Sequence, residues 1–236
     1  YYFSYYPQTF NSDFKDIRYG EHVGEKDNNL ITIVADGMHQ QVSPIAYFQY
    51  ARKLPNRGFL LVDRFIRLID VLVGFLWLCR CYRFLYSQRY ETYEFMHVDI
   101  TGFIKQELIH SISRIARLVL LSGAFKKAIR NSNMQELVYI NFEFSFGRMI
   151  SAVVANLDQN IYRTGFNHGD YSWRFIIYFL ADGEASRKPP YTKHCHIPDH
   201  VLAEDELCAD IYKHNGYQNV EVLKKIYRLS YLDGIE

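Results

Sequence analysis

His168-Gly169-Asp170 and the downstream histidines His194, His196 and His200 are the residues of this chain whose types and spacing could do chemistry. An imidazole and a carboxylate two residues apart can share one edge of an extended segment. With one distal histidine they make the two-His-one-carboxylate set that holds iron with open positions. His168, Asp170 and His196 are taken as the candidate metal ligands. The same histidines, with Cys195, Asp199 and Cys208 nearby, could instead hold zinc. The plainer alternative is structural. The triplet is then a polar turn before an apolar run, with Asp170 as a helix cap, and the histidines sit in a loop after Lys188-Pro189-Pro190. Pro198 keeps His196 and His200 from sharing one helical face. No catalytic residue and no organic cofactor site is assigned. The cofactor expectation is none, with iron or zinc as the alternative.

FNHGDYSWRFIIYFL, fifteen residues around this triplet, resembles the hydroxylase class of iron and 2-oxoglutarate oxygenases. The resemblance implies that Arg174 or Lys193 would hold the co-substrate carboxylate. The flanking chain reads as helical, whereas that family is mostly β. A second set of candidates is the carboxylates closing strand-like runs, Asp36, Asp99 and Glu143, which two-metal nucleic-acid chemistry would need together. NNLITIVADGMHQ resembles the opening strand of DDE transposases. The Ala-Asp-Gly triplets at 35–37 and 181–183 resemble the acidic helix ends of LAGLIDADG homing endonucleases. No recognisable further segment of either family follows. Two ExxH spacings, Glu94 with His97 and Glu107 with His110, suit a di-iron helix pair but lie too close together for separate antiparallel helices.

The elements that would position these groups read as mainly helical. LITIVA at 30–35 is a short strand. Ser43-Pro44 starts a helix over 44–53. Residues 59–88 read as one long apolar helix, buried on most sides at the centre of the domain. The competing reading puts 64–83 in a membrane, since its length of about 28 Å approaches a hydrocarbon core. Residues 101–130 read as an amphipathic helix with a cationic end, followed by a strand-then-helix stretch over 135–157 and an apolar element at 171–180. The C-terminus reads as an αα-hairpin of helices at 200–214 and 220–232. Residues 1–29 read as an extended aromatic arm that lies on another surface. The opening YYFSYYPQTFNSDF does not read as a signal peptide. The expected fold is thus an irregular helical domain around a long central apolar helix, divided as arm 1–29, main domain 30–197 and helical hairpin 198–236.

Composition narrows the function classes. Tyr and Phe number 20 and 17, and hydrophobic residues make up 49%, so most of the chain has enough apolar surface to fold. A net charge of +1 argues against a broad nucleic-acid face, although 57–130 holds twelve basic and six acidic residues. Four cysteines without a CxxC pair give no disulfide scaffold. Phosphate-binding glycine loops are absent from the sequence. The expectation is a non-catalytic structural or accessory subunit of a multiprotein assembly, with protein subunits as partners and membrane contact through 64–83. A mitochondrial or other membrane-associated complex would be its setting. The alternative is a metal-dependent enzyme built on the histidines.

Overall fold

The computed structural model describes residues 1–23, 30–33, 43–55, 58–141, 144–167, 197–227 and 229. Its centre is a sheet. Strands β1 (Tyr2–Tyr5), β2 (Leu30–Ile33), β3 (Phe59–Leu61), β6 (Glu136–Ile140), β7 (Tyr162–Phe166), β8 (His200–Ala203) and β9 (Val220–Val222) make one seven-stranded sheet. Every neighbouring pair in it is parallel. Helices α1 (Pro44–Lys53), α2 (Leu68–Ser87), α3 (Thr101–Arg130), α4 (Phe144–Ala155) and α5 (Glu206–His214) connect these strands, and a small hairpin, β4 (Glu94–Phe95) with β5 (Val98–Asp99), joins α2 to α3.

This α/β sheet overturns the mainly helical expectation. The reason lies in how a parallel sheet reads. Strands covered on both faces carry continuous apolar or aromatic runs without alternation, so they lack a period-two signature. The supposed arm is the clearest case. All four residues of β1 are buried, with Tyr2 and Ser4 on one face and Phe3 and Tyr5 on the other. The N-terminal segment is the middle of the sheet. The expected C-terminal helical hairpin is also corrected. Gly216, at φ +87°, ends α5, and Val220–Val222 then pairs with β8 as an edge strand where a helix was expected. Asp199 caps no helix, since β8 follows it.

The long helix expected over 59–88 begins as β3, passes through a 3₁₀ turn (Val62–Phe65) and becomes α2 at Leu68. Asp70 ties down its first turn: the Arg67 N–H donates to Asp70 Oδ2 at 2.8 Å. Asp70 also accepts from Lys127 Nζ at 2.5 Å, tying the start of α2 to the end of α3. Gly74 and Gly123 allow this approach. A Cβ on Gly123 would lie 2.5 Å from Asp70 Oδ1. Far from being central, α2 buries only Asp70 and Gly74. The helix at 101–130 and the Ser43-capped helix at 44–53 take the places their sequences suggest.

One face of the sheet packs Phe3, Tyr5, Ile31 and Tyr139 against Phe125 and Ile129 of α3 and Ile150 of α4. α5 continues this layer over Val201 and Ala203. The opposite face packs Tyr2, Leu30, Val138 and Phe166 under Tyr19 and Tyr227. Rings meet edge to face at 5.1 Å for Tyr2–Tyr19 and 5.6 Å for Phe3–Phe125. Each such pair contributes about 0.5–1.5 kcal/mol beyond its area. Much of the aromatic excess is therefore core.

Cys208, on α5, is buried, and burial pushes its thiol up to about 12, with Asp205 adding to the shift. Only the thiolate is a good nucleophile. Iodoacetamide at neutral pH is expected to label exposed Cys79 rapidly and to leave Cys208 unmodified until the protein is unfolded, as read by peptide mass spectrometry.

Candidate functional site at the strand ends

The order β3-β2-β1-β6-β7-β8-β9 contains one reversal. The chain runs outward from β1 through β2 to β3. It returns through α2 and α3 to β6, which lies on the other side of β1, and runs outward again to β9. Where the order reverses, the connections leaving β1 and β6 diverge to opposite faces. In open α/β sheets, ligands are seated outside the carboxyl ends of the two strands at such a reversal.

The residues at that edge are polar and buried. Beyond β1, Tyr6 donates its N–H to the Ile33 carbonyl at 3.1 Å, holding the exit from β1 against the end of β2. Gln8 follows, and its Nε2 is buried without a hydrogen-bond partner. Asp16 and Arg18, both buried, brace this exit. Arg18 Nη2 lies 2.9 Å from Asp16 Oδ2, and its guanidinium covers the Tyr5 ring at 5.3 Å from the centroid.

The strands on the other side each end in the same way. Asn141 directly follows β6, Asn167 follows β7, and Glu204 follows β8, and all three are buried. The Asn141 N–H donates to the Phe166 carbonyl and the Asn167 N–H to the Leu202 carbonyl, each at 2.9 Å, so the ladder runs one residue past each strand. Asn167 Oδ1 accepts from the Glu204 N–H at 3.0 Å. Asn141 differs. It is 5% exposed, yet its Nδ2 has no hydrogen-bond partner among the described residues. Burying such a donor unmet costs about 1–3 kcal/mol. The start of α4 at Phe144 is three residues further on, with no acidic side chain in the first turn. Its first-turn N–H groups, which have no partner within the helix, follow Glu143 and lie close in the chain to the unmet amide.

Gly165 makes room for this amide. A Cβ there would lie 2.9 Å from Asn141 Cγ and 2.9 Å from Pro198 Cγ. Gly165→Ala must push Asn141 off β7 and is expected to cost about 1–3 kcal/mol, measured as a lower urea midpoint.

A second concavity, of about 310 Å³, lies over the opposite half of the sheet and includes Glu136, Thr164, His200 and Glu221. Its polar groups satisfy one another. Thr164 donates to Glu136 at 2.7 Å, and His200 Nε2 lies 3.5 Å from Glu221. It offers no comparable unmet donor.

The metal candidates His168, Asp170 and His196 lie outside the described residues, as do His194, Cys195, Arg174 and Lys193. Asn167, which precedes His168 in the chain, marks the carboxyl end of β7. His200 starts β8 and pairs with Glu221. Among the described residues, no group of three or more His, Cys, Asp or Glu could hold a metal ion. Of the strand-end carboxylates, Asp36 and Glu143 are outside the described residues. Asp99 sits on the exposed β4–β5 hairpin, remote in the fold from the sheet edge, and its carboxyl is held low by hydrogen bonds from Thr101. Glu94 and His97 pair at 3.3 Å on that same hairpin, where no helix face presents them.

Sequence reasoning missed Gln8, Asn141, Asn167 and Glu204. A signal was present for two of them, since Asn141 and Glu204 close the short, largely apolar runs ELVYI and HVLA, whereas YRTGF before Asn167 carries none. The chain matches no family model, no curated protein and no solved structure.

Proposed function

We propose that this chain is a doubly wound α/β domain that binds a polar organic ligand in the crevice outside the carboxyl ends of β1 and β6. The unmet amide of Asn141 at the reversal of strand order is the observation that carries this reading. A buried donor a few residues before a helix start calls for an acceptor. Phosphate and carboxylate oxygens meet such converging N–H groups best. Gln8 offers a second donor from the β1 side.

The test is an NMR titration that follows the Asn141 side-chain amide resonances, with inorganic pyrophosphate, nucleoside diphosphates and dicarboxylates as probes. A ligand-dependent shift of these resonances supports the reading. If every probe leaves them unmoved, the ligand class is wrong.

A second reading is favoured by a different observation. Exposed Ile45 and Phe48 on α1 suit an accessory subunit of a larger assembly with protein partners. This reading predicts that the isolated chain self-associates, a state that sedimentation velocity would register.

A further inference from the structure

We propose that the α2–α3 hairpin docks the protein on an anionic lipid bilayer, with α2 lying in the plane of the interface. This inference is independent of the ligand reading. α2 and α3 are antiparallel and leave the body of the protein together. The buried or half-buried positions of α2 are Asp70, Gly74, Leu78, Cys81 and Leu85, spaced four, four, three and four apart. That spacing is one narrow seam, and α3 fills it: a Cβ on Gly74 would lie 3.3 Å from the Ala116 carbonyl oxygen.

Every other side of α2 is apolar and open. Leu68, Val71, Phe75, Tyr82 and Tyr86 run along one flank. Leu72 and Leu76 lie along the back, and Val73, Trp77 and Phe84 along the other flank. Leu72 is 50% and Phe75 61% exposed. A folded partner covers one face of a helix. An apolar surface that wraps nearly all the way round the helix calls for an apolar medium.

The charges agree with a lipid surface. Asp70 is turned into the seam and paired with Lys127, so the exposed surface of α2 carries only Arg80 and Arg83, both positive. Arg80 lies over Trp77 at 5.4 Å, and Arg89, just beyond the helix, lies over Tyr86 at 3.5 Å. Tryptophan, tyrosine and arginine together are the side chains that settle at headgroup depth. The tip of the hairpin adds exposed Phe95, Met96 and Val98. Met96 and His97 take positive φ there, at 47° and 63°, and so turn the tip sharply.

The hairpin lies on the bilayer and does not cross it. The uncharged run of α2, Val71–Cys79, is about 14 Å long, half a hydrocarbon core. α3 is long and apolar enough by composition to span. Its side away from α2, however, exposes Gln106, Glu107, His110, Arg114 and Arg117, with Phe103 the large apolar side chain among them. The pair is therefore amphipathic as a unit, apolar under α2 and polar over α3, which is the arrangement of interfacial helices.

The test is flotation of the full chain through a sucrose gradient with vesicles of equal parts phosphatidylcholine and phosphatidylglycerol. The wild-type chain is expected to rise with the vesicles. The double variant Leu72→Glu, Phe75→Glu is expected to lower the bound fraction at least about tenfold. Arg80→Gln with Arg83→Gln, which keeps the apolar surface, is expected to weaken binding severalfold and to reduce its dependence on salt. Gln106→Glu, on the outer side of α3, is expected to rise as the wild type does. Circular dichroism checks that each variant is folded. A wild-type chain that stays below the vesicles overturns the proposal. If it does so as an oligomer that the Leu72→Glu, Phe75→Glu pair dissociates in light scattering, the face belongs to a second copy of the chain. Equal flotation of the wild type and the double glutamate variant overturns it too.

Discussion

Asn141→Leu is expected to stabilise the unliganded protein while weakening ligand binding at the strand ends. Leucine has nearly the shape of asparagine. It replaces a buried Nδ2 that has no partner in the fold, so an unmet polar group becomes an ordinary packed one. The gain should be about 1 kcal/mol, seen as a melting temperature higher by about 2–4 °C. The same change removes a donor to the ligand and should weaken binding about tenfold to a hundredfold. Thermal denaturation with and without ligand measures both at once. The opposite signs matter. A structural asparagine would lose stability on becoming leucine, so a drop in melting temperature would show that this amide has a protein partner and would remove the case for the site.

Arg163→Met is expected to be among the most damaging single changes. Arg163 sits on β7 with its side chain 5% exposed. Its Nε donates to Asp199 Oδ2 at 2.8 Å, its Nη2 to Oδ1 at 2.6 Å, and its Nη1 to the Ser151 carbonyl of α4 at 3.3 Å. Asp199 returns its backbone N–H to the Arg163 carbonyl at 2.8 Å. One side chain thus joins β7, the approach to β8, and α4. Methionine would leave the largely buried Asp199 carboxylate without its partner, at about 3–5 kcal/mol. Urea denaturation should register this as a shifted midpoint with an unchanged slope. Adding Asp199→Leu should recover most of the loss, because an apolar pair can replace a buried ion pair at little cost. A double variant no more stable than Arg163→Met would assign the loss to packing of the arginine stem.

These two residues also mark what could be read in advance. Helices whose ends carry local chemistry were legible: Ser43-Pro44 before α1, and the long periodic run of α3. Two strands were legible, β2 within LITIVA and β6 at the start of the strand-then-helix stretch, but the others were not, because they are short and most are buried without a clean alternation. Tyr2–Tyr5 reads the same whether it is a loose aromatic arm or the heart of a sheet, and only its pairing with Leu30–Ile33 and Val138 distinguishes the two. For α2 the apolar stretch was evident, but its surroundings were not. Burial is decided by the body to which Asp70 and Lys127 anchor it. The strand-end site escaped because asparagine after an apolar run is commonplace. What makes Asn141 unusual is an absent partner, which no sequence contains. The histidine motif pointed to chemistry by spacing alone, and spacing does not bring distant segments together.

The central position of β1 has a consequence for how the chain is made. Its partner on one side, β2, emerges from the ribosome soon after it. Its partner on the other side, Val138 in β6, does not exist until more than a hundred residues later, which at about 5–20 residues per second is an interval of roughly 7–27 s. Throughout that time the nascent chain presents a tyrosine-rich strand with one open edge, followed by the apolar α2 before α3 has been made to cover its seam. Open edges and bare apolar helices are what chaperones bind. Yield in the cell should therefore depend on elongation rate and on holdase supply more steeply than the equilibrium stability of the finished sheet would suggest.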